Sequence, residues 1–340
     1  MIKNVFVTGG AGYIGSVLVP MLMQKGYNVT VLDRLFFGRD TLPPDGPNLK
    51  VIRDDIRTCS GSLLKGQDAV IDLAAISNDP AGELDQEKTW QINHRGRARI
   101  CKLAKENGVQ RYILPSSCSI YGFQEGVLDE TSGINPLTTY AEANGAAERD
   151  NLPLADKNFT VVVIRQATVY GASPRMRFDL AINGMVKGFL EKGKIPILRD
   201  GTQWRPMVHV ADTSKCQVML LSAPAEKING QIFNVGCNAQ NYQIKPLAEE
   251  VARGLNMPFE FEWYGAPDHR SYRVSFDKLT RTIDWTPDFD AAKGARQIAD
   301  QIKSGQLKPT DPRTITVAWY KHLIEGNRIA KEVAMNGEVL

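Results

Sequence analysis

A glycine cluster between an apolar, β-branched run and an amphipathic run constrains this chain more than any other feature. Residues 2–8, IKNVFVT, read as a buried first strand. The chain then passes through TGGAGYIG at 8–15, and from 13 to 25 Ile14, Val17, Leu18, Met21 and Leu22 recur at helical spacing. Gly9, Gly12 and Gly15 carry no Cβ, so backbone at these points can approach an anion closely. The helix that follows turns its free N–H groups and the positive end of its dipole toward the same spot. Strand, glycine turn and helix in that order predict a pyrophosphate cradle, with Tyr13 and Ile14 inside it.

The downstream pattern supports a sheet built for such a cradle. Strands are expected at 29–32, 49–53, 69–74, 111–115 and 160–165, with helices at 84–107 and 138–150 between them. Strand–helix alternation of this kind implies a parallel, doubly wound sheet. Asp33 ends the second strand, where a carboxylate accepts hydrogen bonds from an adenosine ribose and repels a 2′-phosphate. NAD is therefore expected over NADP, with Arg34 as the opposing signal. After Gly171 the alternation stops. The expected architecture is α/β: a Rossmann doubly wound domain over 1–172, with returning segments near 207–240, and a smaller, partly interleaved C-terminal α/β substrate lobe over 173–340.

Composition excludes several functions. The net charge is +3 and spread along the chain, which gives no reason to expect a nucleic-acid partner. The five cysteines form no CxxC pair, so neither a metal site nor a disulfide framework is expected. No apolar run approaches the roughly 20 residues that cross a bilayer, and the chain opens on a strand rather than a leader. A cytoplasmic protein without a membrane partner is expected.

Further motifs, in order, resemble the extended short-chain dehydrogenase/reductase family, in its NAD-dependent nucleotide-sugar epimerase/dehydratase branch. TGGAGYIG resembles the opening motif of that branch. Asp54-Asp55-Ile56-Arg57 resembles DxDIRD, Leu73-Ala74-Ala75 its LAA stretch, and Asn93 in NHRG its NxxGT. Residues 116–122, SSCSIYG, match SSxxVYG. Arg165 with Val169-Tyr170-Gly171 matches RxxNVYG, with Thr168 in place of the asparagine. Arg205 and His209-Val210-Ala211-Asp212 match RxxxHVxD. Residues 168–179 and 268–276 resemble a subgroup reading TVYGxSPRMRFD and DxRSYRVSF. The resemblance implies a cofactor site that includes Asp55, Ile56, Leu73, Ala74, Ala75, Asn93 and Ser116. It implies a nucleotide-sugar site at Thr168, Arg175, Arg177, Arg205 and Arg270, where guanidinium forks suit phosphate oxygens. It also implies a homodimer packed through the helices at 84–107 and 138–157.

In that family a serine or threonine and a tyrosine face the sugar hydroxyl, here Ser117 and Tyr140. The tyrosine takes the hydroxyl proton while hydride leaves the carbon. A free phenol has a pKa near 10, and the family places a lysine four residues on to lower it. This chain has Asn144 there, which can hydrogen-bond a ribose but carries no charge. Cys118-Ser119 stands where the dehydratases of the family carry Asp-Glu, so dehydration is not expected. Cys118 reads as a buried small side chain and His209 as a loop anchor, and His94 and His269 carry no motif. The expected activity is an NAD-dependent epimerase of a nucleotide-activated sugar, working through a keto intermediate. The alternatives are a net dehydrogenase or reductase of the same substrates, or a Rossmann binding protein whose redox chemistry Asn144 has impaired.

Overall fold

The computed structural model describes residues 2–266, 268, 270–335 and 337–338; His269 lies outside them. In chain order the strands are β1 (Asn4–Thr8), β2 (Asn28–Asp33), β3 (Leu49–Arg53), β4 (Ala69–Asp72), β5 (Arg111–Ser117), β6 (Phe123–Leu128), β7 (Thr160–Gln166), β8 (Thr168–Tyr170), β9 (Ile195–Leu198), β10 (Trp204–His209), β11 (Gln231–Val235), β12 (Asn241–Gln243), β13 (Phe261–Tyr264) and β14 (Ser271–Val274). Seven of them form one parallel sheet in the order β11-β7-β5-β4-β1-β2-β3. The order reverses between β1 and β4, which opens a crevice at their carboxyl ends.

Burial on both faces explains why these strands are nearly continuous apolar runs. Val5 and Val7 enter one core with Leu18, Phe233 and Trp285. Phe6, between them, enters the other with Val70, Tyr112 and Val163. The alternation follows from the two-residue period of a strand. The smaller lobe has a third core, formed by the helices Ala181–Lys192, Ile244–Leu255 and Ala291–Lys303. Tyr13 of the glycine turn belongs to that third core. Around it lie the small sheets β12-β10-β8 and β13-β9, while β14 pairs with β6. β11 returns to the edge of the main sheet beside β7.

The expected helix at 84–107 is not continuous. Short helices at Asp79–Gly82 and Gln86–Thr89 lead into a wide π turn, Trp90–Gly96, and only then the α-helix Arg97–Glu106. Asp85 accepts the Lys88 N–H and so starts a new helix inside the expected one. Such a wide turn often marks a functional site. Here it points Asn93 inward, where its amide bonds both the N–H and the carbonyl of Ile76. The helix Thr139–Asn151 carries Tyr140 and starts at Thr138, whose hydroxyl accepts the Ala141 N–H.

Candidate active site

A cavity of about 870 Å³ occupies the crevice. The three glycines of the turn bound it in different ways. Gly9 has φ +66°, and a Cβ there would meet the Ala74 backbone at 2.7 Å. A Cβ on Gly15 would meet the Gly10 carbonyl oxygen at 2.4 Å. A Cβ on Gly12 would meet only the Gly9 carbonyl oxygen, at 3.1 Å, and would otherwise project into open space. Gly9 and Gly15 therefore allow backbone to pack on backbone, and Gly12 keeps the cavity floor clear. The Tyr13 hydroxyl donates to the Gly171 carbonyl at 2.6 Å and accepts from Asn183 at 3.0 Å, which ties the turn to the smaller lobe.

Asp33 sits at the carboxyl end of β2, with its oxygens accepting from the Ala11 and Leu35 N–H groups at 3.0 and 2.7 Å. Burial pushes its pKa up, against these two hydrogen bonds and the charge of Arg175. Arg34 also lines the cavity, where it pairs with Asp55 at 2.8 Å and lies over the Phe36 ring. The Asp55 carboxyl is held at about 2, because hydrogen bonds and charge from Arg57 and Arg34 outweigh its burial.

Tyr140 and Ser117 both line the cavity, on facing elements. Ser117 Oγ accepts the Ser119 N–H at 3.1 Å, which leaves its own proton to donate. Burial raises the Tyr140 pKa, and the charge of Asp79 adds to the rise. The Ser117 hydrogen bond and the charges of Arg97 and Arg177 pull it down. Asn144 does not line the cavity and is 2% exposed. Its Oδ1 accepts from Arg97 Nη1 at 2.8 Å, and its Nδ2 donates to the Tyr140 carbonyl at 2.9 Å.

The four arginines reach the cavity from the smaller lobe's side with different partners. Arg205 and Arg270 share Asp268, at 2.8 and 2.6 Å. That carboxyl is held at about 2, since the Arg270 hydrogen bonds and both guanidinium charges outweigh its burial. Arg270 also bonds Asp79, so it links the smaller lobe to the Tyr140 neighbourhood. Arg177 is clamped by Asp179 at 3.0 and 2.7 Å and donates to Ser77. Arg175 lies by the glycine turn: its guanidinium stacks 3.6 Å over Phe37 and bonds Thr316 at 3.0 Å. It is 4% exposed, and its Nε and Nη1 have no partner among the described residues.

Comparison with known proteins decides what this arrangement belongs to. The NAD dependent epimerase/dehydratase family matches residues 5–236. The chain belongs to that family. It is 27% identical to the uncharacterized UDP-glucose epimerase YtcB of Bacillus subtilis, over 78% of this chain and 88% of that one. It is also 27% identical to a UDP-glucose 4-epimerase of Rhizobium leguminosarum bv. trifolii, over 89% of this chain and 99% of the other. Among solved structures, MoeE5 in complex with UDP-glucuronic acid and NAD superposes with a TM-score of 0.78 at 27% identity, covering 89% of this chain and 100% of that one.

This family member is an NAD-dependent enzyme of the nucleotide-sugar branch, and its residues fit the cofactor. The clear floor at Gly12 and the two unpartnered nitrogens of buried Arg175 suit a pyrophosphate. Asp33, at the end of β2, suits a ribose diol. Ile56, Leu73, Ala74, Ala75 and Ser116 line the same cavity, and so does Thr168. Asn93 does not; it holds the Ile76 backbone of the lining from behind.

The remaining polar candidates are structural. His209 is fully buried, stacked on Phe289 and bonded to Gln297, and burial lowers its pKa to about 4. The fully buried Cys118 thiol donates to the Arg165 carbonyl, and burial pushes its pKa up. His94 pairs with Asp150. The described residues contain no cluster of metal ligands, all five cysteines are free, and no helix among those residues is long and apolar enough to cross a membrane.

Sequence reasoning missed Asn78, Asp79, Arg97, Asp179 and Asp268. The Asn78 backbone, at φ +133°, is strained for a residue with a side chain, and its amide bonds Asp179. The dipeptide Asp79-Pro80, a helix-start signal inside the expected loop, is the one local clue to that corner.

Proposed function

We propose that this enzyme is an NAD-dependent epimerase of a nucleotide-activated sugar. The observation that carries the reading is the pairing of Tyr140 with Ser117 on the cavity wall, between the glycine cradle and the guanidinium groups. On this reading Arg177, Arg205 and Arg270 hold the nucleotide diphosphate, each braced by a carboxylate that fixes its fork. Ser117 donates to the sugar hydroxyl oxygen and aims its proton at Tyr140. Tyr140 takes that proton as the C–H bond breaks and a keto group forms. Bound on the cradle, the cofactor supplies a reversible hydride acceptor. The keto sugar turns over in the cavity while the diphosphate stays anchored. The carbonyl carbon takes the hydride back on its other face, and Tyr140 returns the proton to the same oxygen, which leaves the inverted alcohol. With Cys118 and Ser119 beside Ser117, no carboxylic acid stands there to expel a neighbouring hydroxyl, which argues against dehydration.

Enzyme purified without added cofactor, incubated with UDP-glucose or UDP-glucuronic acid, tests this by proton NMR. An epimer appearing with no accumulation of NADH is the expected result. NADH formed in step with product would establish a net dehydrogenase instead.

A homodimer through 84–107 and 138–157 is part of the proposal. The exposed side chains there include Glu87, Lys88, Arg95, Glu142, Arg149 and Asp150. Such an interface is mixed in charge and should weaken as salt screens it. Light scattering at low and high salt measures this, and a monomer at both would reject it.

A further inference from the structure

The helix bearing Tyr140 has no cation one turn on, yet a cation is buried beside it. Arg97 is the first residue of the helix Arg97–Glu106 and is 1% exposed. One terminal nitrogen, Nη1, donates to Asn144 Oδ1 at 2.8 Å. The other, Nη2, donates to the carbonyls of Asp72 and Pro115. Its Nε has no hydrogen-bond acceptor among the described residues and stands 3.8 Å from the Asp72 carboxylate. A guanidinium taken out of water this completely is costly unless it is paired and hydrogen-bonded. Three of its four contacts are neutral oxygens. The fourth, Asp72, lies on the Nε side; burial pushes its carboxyl pKa up, against the charge of Arg97 and the hydrogen bonds donated by Thr8 and Tyr112.

We infer that Arg97 is a positioning residue for the proton transfer at Tyr140: its buried charge, fixed against the Tyr140 helix through Asn144, stabilises the phenolate. The inference rests on the reading of Tyr140 as the proton acceptor. The field is delivered across a helix–helix contact rather than along one helix. Asn144 suits this task, because its amide bonds the guanidinium with one end and the Tyr140 carbonyl with the other. A lysine at 144 would meet Arg97 as a like charge.

Among the described residues, the groups that act most on the phenol come from four segments of the chain. Asp79, from the helix Asp79–Gly82, opposes ionisation and is itself bonded by Arg270. Arg177 favours it, but Asp179 clamps that guanidinium at 2.7 Å and cancels much of its field. Ser117, at the end of β5, contributes a hydrogen bond. Arg97 stands farther from its carboxylate than Arg177 does, 3.8 Å from Asp72 against 2.7 Å between Arg177 and Asp179.

The test reads Tyr140 directly. Ultraviolet tyrosinate absorbance of the NAD-loaded enzyme is followed against pH, and the curve of Tyr140→Phe in the same background is subtracted. Arg97→Met should move the Tyr140 ionisation to higher pH and lower kcat at neutral pH by roughly tenfold or more, the change that one pKa unit of a base makes. KM for the nucleotide sugar should change little. Arg97→Gln, which keeps hydrogen bonds and loses the charge, should do the same, and it serves if the methionine variant does not fold. Adding Asn144→Lys to either variant should bring the ionisation back toward the wild-type position. A merely structural Arg97 would not be rescued in that way. An unchanged Tyr140 titration in the neutral variants, or no return in the double variant, would overturn the inference. Failure of the wild-type enzyme to convert any nucleotide sugar would remove the proposed function and leave the titration to decide on Arg97.

Discussion

Gly12 and Gly15 lie three positions apart and are needed for different reasons, which makes them separable by experiment. A methyl group at Gly15 meets the Gly10 carbonyl oxygen at 2.4 Å, and backbone cannot step aside as a side-chain tip can. Gly15→Ala should therefore cost about 1–3 kcal/mol of stability, as overpacking does, and lower the melting temperature by a few degrees. A methyl group at Gly12 enters the cavity instead. Gly12→Ala should leave the melting temperature of the cofactor-free protein nearly unchanged and weaken NAD at least about tenfold, or ~1.4 kcal/mol. Calorimetry on both variants checks the pair, and equal loss of stability would remove the distinction. Asp33 makes a related prediction. Its carboxylate faces the cavity, and Arg34 is held by Asp55 and Phe36. NAD should bind more than about tenfold tighter than NADP, and Asp33→Ser should narrow the gap. These residues were legible because each sits in a short local pattern whose chemistry is a backbone or end-of-strand property. Arg97 was not, because nothing nearby in sequence tells that its guanidinium meets Asn144, 47 residues away.

At the scale of elements, the junction between β10 and the helix Val210–Ser222 depends on one neutral imidazole. His209 Nδ1 accepts the Ala211 N–H at 3.2 Å, and Nε2 bonds Gln297 of the helix Ala291–Lys303. Burial lowers its pKa from 6.5 to about 4. Above pH 6.5 the folded and unfolded forms are both neutral, so stability is fully present. As pH falls from 6.5 to 4 the unfolded histidine takes up a proton and the folded one does not, and stability is lost across that window. The loss should approach about 3 kcal/mol at ~1.4 per pKa unit. Urea unfolding at pH 7 and pH 4.5 should show it in the wild type and show less of it in His209→Gln. An equal loss in both would assign the pH dependence elsewhere. Elements also mark where periodicity stops informing. The strands of the main sheet announced themselves as buried runs between turns. The run at 84–107 has helical composition throughout, but Asp85 restarts the helix and the turn at Trp90–Gly96 widens it. Both depend on partners supplied by the fold: Thr89 bonds the Gly82 carbonyl, and Asn93 bonds Ile76. The small-lobe strands β8 and β12 have three residues each, too short for a two-residue period to register.

Across the whole molecule, residues 36–40 and 313–320 meet on the Asp33 side of the cavity. The loop after β2 offers the Phe36 and Phe37 carbonyls and the Asp40 carboxylate. Trp319 Nε1 donates to the first at 2.6 Å, and Arg313 takes the second and third at 2.9 and 2.8 Å. Tyr320 packs edge-on against Phe36, lies against Phe37, and lines the cavity near Arg175. A sequence separation of 283 residues for the Trp319–Phe36 contact explains why the strap could not be read ahead of the structure. The strap suits the proposed chemistry, because an epimerase returns the hydride it removes and has no reason to release its cofactor between turnovers. A cofactor held under such a strap should dissociate slowly, and wild-type enzyme should keep NAD through gel filtration. Trp319→Ala removes the indole N–H and the ring stacked on His322 without touching the cradle or Tyr140. The variant should lose NAD on the column, regain activity when NAD is supplied, and show a larger rise in melting temperature on NAD addition than the already loaded wild type. Retention of stoichiometric NAD by the variant would mean that the cradle and Arg175 hold the cofactor alone, and that the helix Thr316–Val333, which carries Trp319, only closes the fold.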